Sequence, residues 1–269
     1  MRINTNLNGM IATNQMAKNT ALAGNSMEKL STGLRITKAG DDAAGLAVSE
    51  KMRAQIRGME QAERNVQDGI SLVQTAEGAL EEAGNIAQRM RELAVQAGND
   101  TLSTDDRAKI KAELTELQEE MGSIAKETKF NGNALLDGTG GDFKIQSGAN
   151  SETRDIRMED LSSVANSLSK LDVTSNTNAQ SSLASIDKAL ESITSARSEL
   201  GAMQNRLEYT VSNLTTSTEN LTAAESRIRD VDVAKEMVKL SKLNILNQAS
   251  QAMVSQAKQQ PESVTQLLR

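Results

Sequence analysis

Two apolar series repeat every seven residues along this chain, and they restrict its fold more than any other feature. The first runs Met52, Met59, Val66, Val73, Leu80, Ala87, Ala94, flanked by Ala62, Gly69, Ala76, Ala83 and Met90. The second runs Ile186, Ile193, Leu200, Leu207, Leu214, Leu221, Ile228, accompanied by Ala189, Ala196, Met203 and Ala224. Seven-residue repeats sustained this long predict helices that supercoil and pack knobs into holes. At about 1.5 Å per residue each helix forms a rod of roughly 60–70 Å. The small residues along one flank let a partner helix approach closely.

Composition supports thin bundles over a thick globule. Bulky aromatics dominate thick cores, yet the 269 residues include no Trp, only Phe130 and Phe143, and a single Tyr, Tyr209. A helical bundle needs only Leu, Ile, Val, Met and Ala. The chain also lacks His and Cys, which removes the imidazole base, the thiolate nucleophile and the ordinary zinc site. Glu81–Glu82 and Glu119–Glu120 read as solvated helix faces, because sequence neighbours point in different directions around a helix. "GTGGD" at 138–142 lacks the Lys-Ser/Thr of a phosphate loop. The expectation is a structural protein, not an enzyme, with no cofactor and no metal.

Charge and hydropathy narrow the partners. A net charge of −6 without a basic block argues against nucleic acid. No stretch has the apolar length that membrane insertion requires. The start, "MRINTNLNGM", is polar where a cleavable secretory signal needs an apolar run.

Between the rods the pattern predicts a helix from Ser103 to about Lys129, with Ile110, Leu114, Leu117, Met121 and Ile124 on one face. Ser103 followed by Asp106 resembles a capping box. "DFKIQSGANSETRDIRM" reads as a β-hairpin near 142–158, and residues 159–180 as a polar connection with brief helical character at best. The two ends, about Asn4–Leu34 and Val231–Leu268, are amphipathic but rich in Asn, Gln, Ser and Thr. Alone, neither is a convincing helix in water. Their apolar stripes must be covered by each other or by another chain.

One stretch interrupts the helical pattern: "LSTGLRITKAGDDAAGLAVSEKM", residues 30–52. This segment, with "MRINTN", "DGISLVQTAEGAL", "QRMRELAVQAGN", "NLTAAESRIRDVDVAKEM", "NILNQASQAM" and the ending "QLLR", resembles bacterial flagellin. The resemblance covers residues 1 to about 150 and about 180 to 269, in order, and is closest to the short flagellins of Gram-positive bacteria. It implies a mainly α fold of long antiparallel coiled-coil rods with a small β-hairpin, the N- and C-terminal halves nested. Residues 1–42 with 230–269 would form an inner terminal coiled-coil domain, and 43–229 an outer rod domain, with no large hypervariable domain.

The implied function is a subunit that polymerises into the helical flagellar filament, the motility propeller. A hook–filament junction protein is the alternative. Implied partners are further copies of the chain, an export chaperone and the export apparatus, a filament cap, the junction proteins and the vertebrate Toll-like flagellin receptor. The implied location is the extracellular filament, reached without a cleavable signal. Gly33, Gly40, Asp41 and Asp42 look like the spoke between inner and outer layers, with an Asp–Arg contact expected to Arg227 or Arg229. Val238, Ile245, Leu246, Ala249, Met253, Leu267 and Leu268 form the stripe that neighbours or the chaperone would cover. By motif matching, Arg89, Leu93, Gln96 and Glu113 fall on the family's receptor-contact positions, Leu93 as an anchoring knob on a shared helix face.

Overall fold

The computed structural model describes residues 6–267, and side chains through residue 259. Among the described residues there are six α-helices: α1 (Leu7–Thr32), α2 (Ala43–Ala97), α3 (Thr104–Glu127), α4 (Leu161–Ser167), α5 (Asn176–Arg229) and α6 (Val233–Leu267). Two small antiparallel pairs lie between α3 and α4. They are β1 (Lys129–Phe130) with β2 (Asn133–Ala134), and β3 (Phe143–Gln146) with β4 (Thr153–Ile156). Among the described residues no helix is long and apolar enough to cross a membrane.

The chain divides into two compact units: a terminal unit made of the two ends, up to Ala54 and from Asn220, and a central unit spanning Gln55–Glu219. In the central unit the heptad residues do what their spacing predicts. Val66, Val73, Leu80, Ala87, Met90 and Ala94 of α2 are buried, as are Ile186, Ile193, Leu200, Leu207 and Leu214 of α5. From α3 come Ile110, Leu114, Met121 and Ala125, while Leu117 and Ile124 are half-buried. Ion pairs fix the antiparallel register of α2 against α5: Arg91 reaches Asp187 at 2.7 Å, and Arg197 lies 3.9 Å from Glu77. Low numbers thus meet high ones, which is the nesting of the two halves.

Helix ends follow local chemistry. The Ser103 hydroxyl accepts the Asp106 amide at 3.2 Å and donates to the Asp106 carboxylate at 2.7 Å, starting α3. The Ser103 hydroxyl and amide together hold the Asp106 carboxyl below its ordinary value. The β3–β4 hairpin lies tightly on α2, because a Cβ at Gly58 would stand 2.9 Å from that of Ala149.

Two stretches are more ordered than their composition suggests. Asn131 and Gly132, both at positive φ, close the β1–β2 pair, an Asn-Gly turn of the kind hairpins use. Residues 159–180, expected as a mostly loop-like connection, hold α4, a single 3₁₀ turn (Leu168–Lys170) and the first turn of α5. Leu161, Ala165 and Leu168 are buried on one side of it. Its Ser and Asp residues act as caps: the Asp160 carboxylate accepts from the Ser163 amide at 3.0 Å. Short polar side chains at helix starts read as loop when only their composition is weighed.

Candidate assembly surface

The terminal unit is built by α1 and α6, which pair side by side and antiparallel. Asn6 donates to the Ala257 carbonyl at 2.6 Å, Asn19 to Ser250 at 3.5 Å, and Thr20 to Asn247 at 3.5 Å. Residues buried in this seam recur at sevens: Asn19 and Ser26 on α1; Leu243, Ser250 and Ala257 on α6. Half-buried Ala12, Met16, Ala23 and Leu30, with Glu236, Leu240, Asn247 and Val254, complete the heptads. Only a minority of these seam positions hold large aliphatic residues.

The large aliphatic residues sit elsewhere. Leu7, Met10, Ile11, Leu22 and Met27 of α1 are exposed, as are Val233, Met237, Val238, Ile245, Leu246 and Met253 of α6. Val238 is 72% exposed, Ile245 65% and Met253 63%. Met237, Val238, Ile245 and Leu246 line an open, almost wholly apolar groove along α6, interrupted only by Ser241 and Lys242. The pair is therefore inside out. Mostly small and polar groups face the partner helix, and most of the large aliphatic side chains face solvent. Contiguous apolar surface of this kind marks an interaction site. Ala249 is exposed on the same helix, whereas the Leu267 side chain and Leu268 lie outside the described residues.

Glu236 anchors one end of the seam. The neighbouring Ser26 hydroxyl, and then Lys239 at 3.0 Å, hold its carboxyl below the ordinary glutamate value of 4.5, although no hydrogen bond of normal length joins Ser26 to it. A depressed carboxyl contributes stability above its unfolded pKa and loses it as pH falls through the folded one. Acidification below pH 4.5 is therefore expected to loosen the α1–α6 pair. Glu236→Gln should abolish that component of the acid-induced loss of helicity, as read by far-ultraviolet circular dichroism. An unchanged acid transition in the variant would assign the loss to other carboxylates.

The break at residues 33–42 joins α1 to α2 beside the returning chain. Gly33 ends α1 in the left-handed region, at φ 72°, where a side chain would be strained. Gly40 is not in that region. Leu34 bridges Asp230; the Arg35 amide donates to the Arg229 carbonyl at 2.6 Å, and the Val231 amide to the Gly33 carbonyl at 3.0 Å. The Arg35 guanidinium also donates to the Ile228 carbonyl.

The Asp–Arg contact expected here is not the one that forms. Asp41 accepts from the Thr37 amide, the Thr37 hydroxyl and the Lys38 amide at 3.0–3.1 Å. The Thr37 and Lys38 amides hold the Asp41 carboxyl below the ordinary aspartate value. Asp42 caps α2 through the Gly45 amide at 2.9 Å. Both carboxylates are thus occupied by nearby backbone donors, as suits a helix N-terminus. Arg229, buried, instead pairs with Glu50 at 2.6 Å, further along α2. Arg227 is exposed. Glu50 had no signal in the sequence, being one acidic residue among many on a helix.

The second predicted group divides in the same way. Arg89, Gln96 and Glu113 are exposed, and Arg89 pairs with Glu113 at 2.9 Å and with Glu92 at 3.1 Å. Leu93, by contrast, is 2% exposed. It lies in the α2 core stripe beside Met90, Ala94 and Ala97, all buried, so it is not a surface knob. The neighbouring exposed apolar residue is Val95.

The bacterial flagellin N-terminal helical region matches residues 3–140, and the bacterial flagellin C-terminal helical region matches 183–268. The chain is 56% identical over 272 residues to flagellin of Halalkalibacterium halodurans, with 100% of each chain covered. It is similar to the crystal structure of Bacillus cereus flagellin, with 34% identity, a TM-score of 0.53, and 60% of this chain and 94% of that one covered. Bacillus cereus FlgL shares the fold at 17% identity and a TM-score of 0.53, covering 65% of this chain and 99% of that one.

Proposed function

Because this chain belongs to the bacterial flagellin family, we propose that its copies polymerise into the helical flagellar filament through the exposed aliphatic face of the terminal unit. The observation that carries this reading is the inside-out α1–α6 pair. A solitary protein gains nothing by burying Asn19, Ser26 and Ser250 while leaving Ile11, Val238, Ile245 and Met253 in water. A polymer does gain. Burying a large aliphatic side chain contributes about 1.5–3 kcal/mol when the whole of it leaves water. Eleven partly exposed residues of this kind on α1 and α6 supply on the order of 10 kcal/mol per copy, before the cost of immobilising the copy. Contacts between different faces of successive copies continue without closing and yield a helical filament.

In this reading residues 1–42 and 230–269 form the inner layer and 43–229 the outer layer, with the Gly33–Asp42 crossing as the spoke between them. The chain reaches the outside of the cell through the flagellar export apparatus. Before assembly, an export chaperone sheathes the α6 stripe. The cap and the junction proteins bound the filament at its two ends, and the exposed Arg89–Glu113 face is where a host Toll-like flagellin receptor engages the monomer. The role is structural. The fold itself is shared with FlgL, so it does not separate a filament subunit from a junction protein. Full-length identity of 56% to a flagellin favours the filament subunit.

The purified full-length chain, seeded with short filament fragments, should elongate them into long filaments seen by electron microscopy and pelleted by ultracentrifugation. A chain that adds to no seed at any concentration would overturn the proposal.

A further inference from the structure

The aliphatic face supplies burial but little direction, and the central unit carries charges that no partner within the copy answers. Arg154 and Arg157, on and just after β4, and Arg206 on α5 line one open groove with Leu200 and Met203. Among the described residues, none of these three guanidinium groups has a hydrogen bond or an ion pair. In the same unit Arg89, Arg91, Arg107 and Arg197 are paired, while among the described residues Arg57, outside this groove, is also without an ion pair. Asp155 and Glu199 share the groove, so three cations face two carboxylates and the groove is positive on a chain of net charge −6.

A different face of the unit, between α2 and α3, has the opposite character. Glu82, Glu120 and Glu127 surround Ile86 and Ile124 there, with no Lys or Arg in the lining. Among the described residues none of these three carboxylates is in an ion pair. Each face thus combines partly apolar footing with three charged groups outside any ion pair; the first is net positive by one, its arginines sharing the groove with Asp155 and Glu199, and the second net negative by three.

We propose that these faces meet between copies, Arg154, Arg157 and Arg206 of one chain docking against Glu82, Glu120 and Glu127 of the next. The proposal rests on the filament reading and deepens it by naming a polar contact that sets direction. The two patches differ, so the contact is heterologous: each copy offers one patch forward and the other backward, and the series does not close on itself. The charges stay hydrated in the free chain, which keeps them from destabilising it. Opposed on two copies, they steer encounter and disfavour wrong registers. Like-charged faces brought together repel.

The test uses the full-length chain in two reversed forms. One carries Arg154→Glu, Arg157→Glu and Arg206→Glu, so that both faces are acidic; the other carries Glu82→Arg, Glu120→Arg and Glu127→Arg, so that both are basic. Each alone should need a concentration at least about tenfold above that of the parent before filaments pellet. An equimolar mixture should polymerise near the parent's concentration, with the two chains alternating. Either variant polymerising alone as readily as the parent, or a mixture no better than its components, overturns the contact. Should a reversed chain melt below the parent, the triple Gln variants replace it. The contact predicts that the parent's polymerisation weakens with added salt and that the Gln variants lose that dependence; a parent insensitive to salt, or variants with the same sensitivity, also overturns the contact. A parent that never polymerises removes the filament reading as well, whereas a parent that polymerises beside both reversed chains removes only this contact.

Discussion

A chain carrying Ile245→Glu and Met253→Glu should remain monomeric at concentrations where the parent is wholly filamentous. Both side chains point away from the α1–α6 seam and are about two-thirds exposed. In the free chain the changes fall on solvated helix surface, where substitutions stay within about 0.5 kcal/mol. In the filament each introduced carboxylate would have to enter an apolar contact, at a cost of about 2 kcal/mol or more apiece. Two together, about 4 kcal/mol, correspond to a rise of roughly 1000-fold in the concentration needed to polymerise. Pelleting assays read that rise, and thermal melts of the monomer should be unchanged. Leu243→Glu is the counterpart, because Leu243 is buried in the seam; it should lower monomer helicity itself. Normal filaments from the double variant would mean that the exposed aliphatic face is not the assembly surface.

Leu93→Asp is expected to destabilise the central unit by about 4 kcal/mol. The substitution removes a buried aliphatic side chain, typically a loss of about 2–5 kcal/mol, and places a carboxylate among Met90, Ala94 and Ala97, which adds to the loss. Loss of receptor signalling in that variant would therefore report unfolding. Arg89→Glu makes the separate test. Its pairs with Glu113 and Glu92 are surface pairs, Arg89 being about half exposed, and such pairs contribute only about 0–1 kcal/mol. The variant should melt like the parent and fail to activate the receptor. Calorimetry on both variants, beside a receptor reporter assay, separates the two effects. Full activation by folded Arg89→Glu would remove this face from the receptor site.

The long helices of the central unit were legible because their information is local. An apolar residue every seventh position, with small residues beside it, commits a segment to a helix with one buried stripe whatever its partner. Ser103 and Asp106 announced the start of α3 for the same reason: a cap is made by residues three apart. The Asn-Gly turn between β1 and β2 is equally local, yet strands of two residues have no periodicity to detect. Leu93 was misplaced by motif position, although Met90 three residues before it already marked the core side of α2.

Much of the candidate site depended on which elements meet. That Arg229 finds Glu50 and leaves Asp41 and Asp42 to cap backbone amides follows from how the returning chain lies against α2, across 179 residues of sequence. The α1–α6 pair is the clearer case. Composition and periodicity alone dictate that both ends form amphipathic helices too polar to stand alone in water, and that their apolar stripes need cover. That the two helices leave most of this aliphatic surface uncovered emerges only when they pack. Each helix has two usable stripes, one aliphatic and one small and polar, and periodicity marks both equally well. Which stripe turns inward is settled by close approach and hydrogen bonding between residues some 230 apart in the chain, such as Asn19 and Ser250, a relation that no local pattern contains.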